Sequence, residues 1–281
     1  MVDIRFHGVR GSTPCSGGDT ARYGGNTSCV SVHHGDEPPF VFDLGTGLRY
    51  FGAGWPADRA FRGTALLTHL HWDHVQGLPF FVPLLRDEAR MDIWAPRQED
   101  GRSVRDAFDF FLRPPYFPVT LDHLGGQITF TDVGDEEHEI GTATVMSRFV
   151  PHVGATVGYR LSWAGATVAY LSDHQQPVDG TLRVSEGALD LCADADLVIH
   201  DAQYTAAEFE RKRTWGHCTV EFAVRVAHES GARRLALFHH DPLRDDDALD
   251  EQDEKAAKLA ACLGVELLSA SEGMVVSLPG L

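Results

Sequence analysis

The chain has 281 residues, with 24 Lys+Arg against 41 Asp+Glu, a formal net charge of −17, 15 His and 5 Cys. So acidic a chain lacks the clustered cations that release counterions from DNA or RNA and that anionic membranes attract. Its 43% hydrophobic and 23% charged residues exclude a disordered chain, and the scattered Cys15, Cys29, Cys192, Cys218 and Cys262, with no C-x-x-C pair, exclude a disulfide framework or a cysteine zinc site.

In chain order, Met1 to His7 lacks the charged and apolar regions of a signal peptide, so a cytoplasmic location is expected. Phe40–Phe42 and Ala65–Thr68 read as buried strands. The most apolar stretch, Leu78–Leu85, is too short to span a bilayer. Residues 86–139 look irregular. They contain Arg113-Pro114-Pro115-Tyr116-Phe117-Pro118, which suits neither helix nor central strand, and are read as an inserted, partly exposed loop. Further strands are expected at Thr167–Leu171, Leu197–His200, Leu235–Phe238 and Met274–Leu278. One helix opens at the capping residue Thr219 and gathers Phe222, Ala223, Val226 and Ala227 on one side. A second runs from about Asp247 to Leu263, acidic at its start and stopped by Gly264. No linker divides the chain, so residues 1–281 are expected to form one domain of mixed strands and helices.

The chemistry concentrates in Thr68-His69-Leu70-His71-Trp72-Asp73-His74, directly after a strand. In extended backbone, residues i and i+2 point the same way, so His69 and His71 can close on one metal. If the chain then turns, Asp73 and His74 face a second. His152, Asp173 and His239 each follow an apolar strand and supply the missing imidazoles and a bridging carboxylate. Taken singly, each would be an ordinary turn residue; the cluster is what carries the reading.

These residues resemble the metallo-β-lactamase-fold hydrolases over nearly the whole chain. The resemblance implies an α+β fold: a four-layer αββα sandwich with metals at one edge. It implies that His69, His71 and His152 hold one metal, and Asp73, His74 and His239 the second, with Asp173 bridging. His240 competes with His239; His239 is preferred because it directly ends the apolar strand. Asp43, in Phe42-Asp43-Leu44-Gly45, would support the metal loop from behind. His and Asp donors without Cys suit two divalent ions, zinc first, with manganese or iron open.

His200-Asp201-Ala202-Gln203, followed by Trp215-Gly216-His217-Cys218-Thr219, resembles the ribonuclease Z and cyclic-phosphate phosphodiesterase branch. That resemblance implies an Asp201–His217 pair in which the carboxylate orients the imidazole for proton donation to a leaving oxygen. His174 and His200 are expected behind the metal ligands. Arg10-Gly11-Ser12 and Tyr23-Gly24-Gly25-Asn26-Thr27-Ser28 are read as loops whose backbone N–H groups approach an anion. Asn26, Tyr116 and Phe117 are expected to touch substrate.

The implied reaction is in-line attack on a phosphodiester by a hydroxide shared between two metals, with Asp73 orienting the nucleophile. The acidity of the chain favours a small substrate, a cyclic nucleotide or cyclic ribose phosphate, over nucleic acid. The alternatives are a ribonuclease Z-like RNA endonuclease, a lactonase or thioesterase, and a non-catalytic metal-binding sensor. Members of the family often form homodimers; no residue pattern here requires one.

Overall fold

A computed structural model describes residues 1–280. Its strands are β1 (Val2–Gly8), β2 (Cys29–His34), β3 (Phe40–Phe42), β4 (Arg62–Leu66), β5 (Arg90–Pro96), β6 (Gln127–Val133), β7 (Glu136–Ile140), β8 (Ala143–Phe149), β9 (Val157–Trp163), β10 (Ala166–Leu171), β11 (Leu197–Asp201), β12 (Arg234–Phe238), β13 (Glu266–Ser269) and β14 (Val275–Leu278). The helices are α1 (Leu48–Ala53), α2 (Trp72–Val75), α3 (Val104–Phe111), α4 (Glu186–Cys192), α5 (Ala206–Lys212), α6 (Val220–Glu229) and α7 (Asp246–Cys262).

The strands form two seven-stranded sheets, ordered β14-β1-β2-β3-β4-β5-β6 and β13-β12-β11-β10-β9-β8-β7. Each begins as an antiparallel meander and continues as a parallel run: β3 to β6 in the first sheet, β10 to β13 in the second. The inner faces meet in one core, where Phe6, Val32 and Phe42 pack with Tyr159, Tyr170 and Phe238. The outer face of the second sheet packs α4, α6 and α7 through Leu191, Phe222 and Ala260. That of the first packs α1 and α3 through Phe51 and Phe108. The expected four-layer αββα sandwich results.

Parallel strands carry helices on one face and a sheet on the other, so they read as continuous apolar runs. Leu197-Val198-Ile199 and Leu235-Ala236-Leu237-Phe238 are fully buried for this reason. Thr219 caps α6 by accepting the Phe222 N–H at 3.2 Å, and Asp245 caps α7. Gly264, at φ 74°, follows α7 where a side chain would be strained.

One expectation needs correction. Residues 86–139 are not a single inserted loop: they contribute β5, α3, β6 and most of β7, and the longest irregular stretch is between α3 and β6. The half-apolar alternation of Met91, Ile93 and Ala95, and of Ile128 and Phe130, was the available signal; Arg, Asp and Thr on the alternate positions disguised it. Among the described residues, no helix is long and apolar enough to cross a membrane.

Candidate metal centre

The carboxyl ends of the parallel strands in both sheets converge at one edge of the sandwich, where open α/β sheets gather functional groups. Asp43 follows β3, the His69–His74 segment follows β4, Asp173 follows β10, Asp201 ends β11 and His239 follows β12. The short helix α2 begins at Trp72, with His71 as its N-cap in extended conformation. His69 and His71 therefore leave the strand on one side, and the turn of α2 swings Asp73 and His74 to another.

Two donor sets result. Ligand atoms of His69, His71 and His152 lie within 4.8 Å of one another, as do those of Asp73, His74 and His239. Asp173 lies between the sets. Its Oδ2 is 4.0 Å from His69 Nε2 and 3.8 Å from His152 Nε2, while its Oδ1 is 3.2 Å from His74 Nε2 and 3.4 Å from His239 Nε2. Each carboxylate oxygen faces one set, as a bridging ligand requires.

The rear nitrogens of four imidazoles are already engaged. His74 Nδ1 lies 2.8 Å from Asp43 Oδ2, His152 Nδ1 2.6 Å from the Gly216 carbonyl, His239 Nδ1 3.1 Å from Gln203 Oε1, and His69 Nδ1 3.1 Å from Thr68 Oγ1. Carboxylate and carbonyl oxygens can only accept, so Nδ1 of His74, His152 and His239 donates and each Nε2 presents a lone pair to the centre. His69 Nε2, His74 Nε2 and Asp173 Oδ1 are buried without a hydrogen bond. Lone pairs and carboxylate oxygens packed against each other in a buried site repel unless a cation lies between them. The carboxylates around the centre draw positive charge, whether a proton or a metal ion. Burial alone would push His74 and His239 down, yet the surrounding carboxylates, Asp73 and Asp173 foremost, raise both above the usual imidazole range. Burial keeps His69, His71 and His152 below that range, neutral and ready to ligate. The donor set fits two divalent cations of the zinc type.

Asp43 is the hub behind the centre. Its carboxylate accepts from the Thr68 N–H and hydroxyl, the Tyr170 hydroxyl at 2.9 Å and the Ser172 hydroxyl at 3.2 Å, besides His74. Asp43 and His239 both sit in the left-handed backbone region, at φ 55° and 57°, a cost that the surrounding contacts hold in place. His240 points elsewhere: its Nε2–H donates to the Ala270 carbonyl at 2.9 Å, and burial lowers it to about 3. The centre thus receives His239 rather than His240.

His217 lies at the rim. Its Nδ1 is 2.9 Å from Asp201 Oδ2 and 3.6 Å from Asp173 Oδ2. Asp201 is fully buried and held by the backbone N–H groups of His174 and Gln203.

Several expected residues sit differently. The rings of His174 and His200 bond each other at 2.9 Å, and His200 Nδ1–H donates to the Asp201 carbonyl at 2.7 Å. They brace Asp201 instead of touching the donor sets. The Ser12 N–H donates to Asp73 Oδ2 at 2.7 Å, and the Asn26 N–H to Glu272 Oε1 at 2.5 Å. The anions these loops approach are the protein's own carboxylates. Asn26, Tyr116 and Phe117 line one cavity of about 420 Å³, whose wall includes Leu70 and Trp72 from the metal-loop segment. Gln203, Tyr170 and Thr68 were not singled out from sequence; Gln203 had a signal in its place two residues after Asp201, just past a strand end.

A family profile described as a beta-lactamase superfamily domain matches residues 58–240, more than half of the chain. A ribonuclease Z of Natronomonas pharaonis is 27% identical over 84% of this chain and 86% of that protein. The metallo-β-lactamase fold protein YhfI of Bacillus subtilis superposes with a TM-score of 0.72 at 18% identity, covering 98% of each chain. A diphosphatase from the PhnP family superposes with a TM-score of 0.71 at 17% identity, covering 100% of this chain and 99% of the other. The chain belongs to the beta-lactamase superfamily, as a metal-dependent hydrolase of the metallo-β-lactamase fold.

Proposed function

We propose that this hydrolase is a dinuclear phosphodiesterase acting on a small phosphodiester, a cyclic nucleotide or cyclic ribose phosphate. The observation that carries the reading is the His217–Asp201 pair at 2.9 Å beside Asp173. Carbonyl hydrolysis at such a centre can dispense with a separate acid when the leaving group is good; expelling an alkoxide from phosphorus cannot.

His69, His71, His152 and Asp173 would hold one cation, and Asp73, His74, His239 and Asp173 the other. When bound, the pair would neutralise developing phosphoryl charge and acidify water. The Ser12 N–H fixes Asp73, which is placed to orient the nucleophile. Asp201 accepts the Nδ1 proton of His217, which sets the ring's tautomer and orientation. The imidazolium form can then deliver its Nε2 proton to the departing oxygen. The His174 and Gln203 N–H groups keep the Asp201 carboxylate from rotating away.

The ribonuclease Z relatives favour a second reading, cleavage of an RNA phosphodiester by the same groups. The net charge of −17 argues for the smaller substrate, because a long polyanion would meet an acidic surface. One zinc-loaded preparation, tested on cyclic nucleotides, cyclic ribose phosphates, precursor tRNA, lactones and bis-p-nitrophenyl phosphate, decides between them. Turnover of a small cyclic diester well above that of precursor tRNA and lactones is expected. Preferential tRNA cleavage would replace the proposal with the second reading, and lactone turnover alone would remove both. Two bound metals with no hydrolysis of any substrate would leave a sensor. The His69→Ala/Asp73→Ala variant should lose metal and turnover together.

A further inference from the structure

We propose that the cavity beside the metal centre is a subsite for a heteroaromatic base, so that the substrate is a base-bearing phosphodiester rather than a bare sugar phosphate. The inference rests on the diesterase reading above and narrows its substrate. The cavity, about 420 Å³, is of the size that small-molecule sites use. It lies against the metal-loop segment: Leu70 and Trp72, which alternate with His69, His71 and Asp73, form part of its wall. A substrate reaching across that segment would seat one group in the cavity with its phosphodiester at the donor sets.

The opposite wall comes from the stretch between β5 and β6, through Tyr116 and Phe117, and from Phe80. Phe80 and Phe117 meet edge-on with ring centroids 6.0 Å apart, which fixes the relative orientation of their faces. Trp72, Phe80 and Tyr116 are 69%, 56% and 63% exposed. Three large rings left in water around one concave site lose burial that a flat aromatic occupant would restore. An acyl chain would satisfy the apolar wall but not the polar groups on it. Arg49 and Gln76 line the same cavity and, among the described residues, spend no side-chain hydrogen bond elsewhere. They suit the donor and acceptor edge of a heterocycle, and Arg49 adds a cation for an anionic substrate. Stacking of this kind is worth about tenfold or more per ring when a ring is removed.

The test compares the zinc-loaded protein on two substrates that undergo the same ring opening: adenosine 2′,3′-cyclic phosphate, and the 2′,3′-cyclic phosphate of methyl riboside, which lacks the base. Bis-p-nitrophenyl phosphate serves as a check on the chemistry. The wild type should favour the base-bearing substrate by about tenfold or more in kcat/KM. The Phe80→Ala/Tyr116→Ala variant removes two rings that are already more than half exposed, so its fold is expected to survive, and its ratio should fall toward one. Adenosine 3′-monophosphate should quench indole fluorescence saturably in the wild type and not in the variant. A ratio near one in the wild type, with bis-p-nitrophenyl phosphate still hydrolysed, would overturn the subsite and leave the diesterase intact. An unchanged ratio and unchanged quenching in the variant would also overturn it. Saturable, ring-dependent binding without hydrolysis of any diester would support the base subsite and remove the diesterase reading.

Discussion

Gly11 tests how closely the second donor set is built. A Cβ placed on Gly11 would lie 2.4 Å from both Cε1 and Nδ1 of His239, against about 3.4 Å for an ordinary contact, so Gly11→Ala demands a displacement of about 1 Å. The His239 ring is fully buried and pinned between Gln203 and the Asp73–Asp173 carboxylates, so the shift falls on its Nε2 direction. Gly11 does not occupy the left-handed region, so the effect is steric and not a backbone penalty. Ligand sets tolerate about 0.5 Å, and loss of a ligand's supporting contact costs roughly 10–100-fold in metal affinity. The expected loss at the second position is therefore about 1.4–2.8 kcal/mol. The assay is zinc stoichiometry by plasma mass spectrometry after equilibrium with a competing chelator. Wild type should retain two ions per chain and Gly11→Ala one. Gly18→Ala is the control, since a Cβ there meets nothing within 4 Å. Two ions held with unchanged affinity by Gly11→Ala would refute the assignment of His239.

Other expectations follow from the same geometry. Asp43→Ala strands the buried donors of Thr68, Tyr170, Ser172 and His74, so it should cost about 3–5 kcal/mol of stability, read by urea unfolding of the metal-free protein; a loss below 1 kcal/mol would show that the hub is not structural. His7 and His33 flank the Ser31 hydroxyl at 2.7 and 2.8 Å, and burial, then mutual repulsion for His7, lowers both from 6.5 to about 4. Between those values the unfolded chain takes up protons that the folded chain refuses, so their contribution destabilises the fold as pH falls from 6.5 toward 4. His7→Gln should remove on the order of 2 kcal/mol of the stability difference between pH 7 and pH 4; parallel pH profiles for variant and wild type would contradict this.

Sequence made some of this legible for physical reasons. Strands buried on both faces, such as Leu235–Phe238, announce themselves by unbroken apolar runs, and the residue after each run is where this architecture gathers its donors. The cluster from His69 to His74 was legible because four ligand-competent residues fall on two known geometries, a strand end and a helical turn. Half-exposed strands were not. In β6 and β7 the apolar period is diluted by Thr, Asp and Glu, and 86–139 passed for a loop. Contacts between distant segments were also hidden. Nothing in the local sequence of Gly11 says that it faces a histidine 228 positions later, or that the Gly216 carbonyl meets His152 Nδ1 at 2.6 Å. His174 illustrates the converse: its place beside Asp173 suggested support for the metal ligands, but its ring turns to His200 and its N–H to the Asp201 carboxylate.

The proposed diesterase uses His217, held by Asp201, as its proton donor. This role is tested most directly by comparing kcat/KM for two small diesters, one with an alkyl and one with a p-nitrophenyl leaving group, in wild type and in a metal-replete His217→Ala variant. A loss of about 10²–10⁴ is expected on the alkyl substrate and a much smaller loss on the p-nitrophenyl ester, whose p-nitrophenoxide leaves without a proton. Equal losses on both, or none on the alkyl diester, would contradict it.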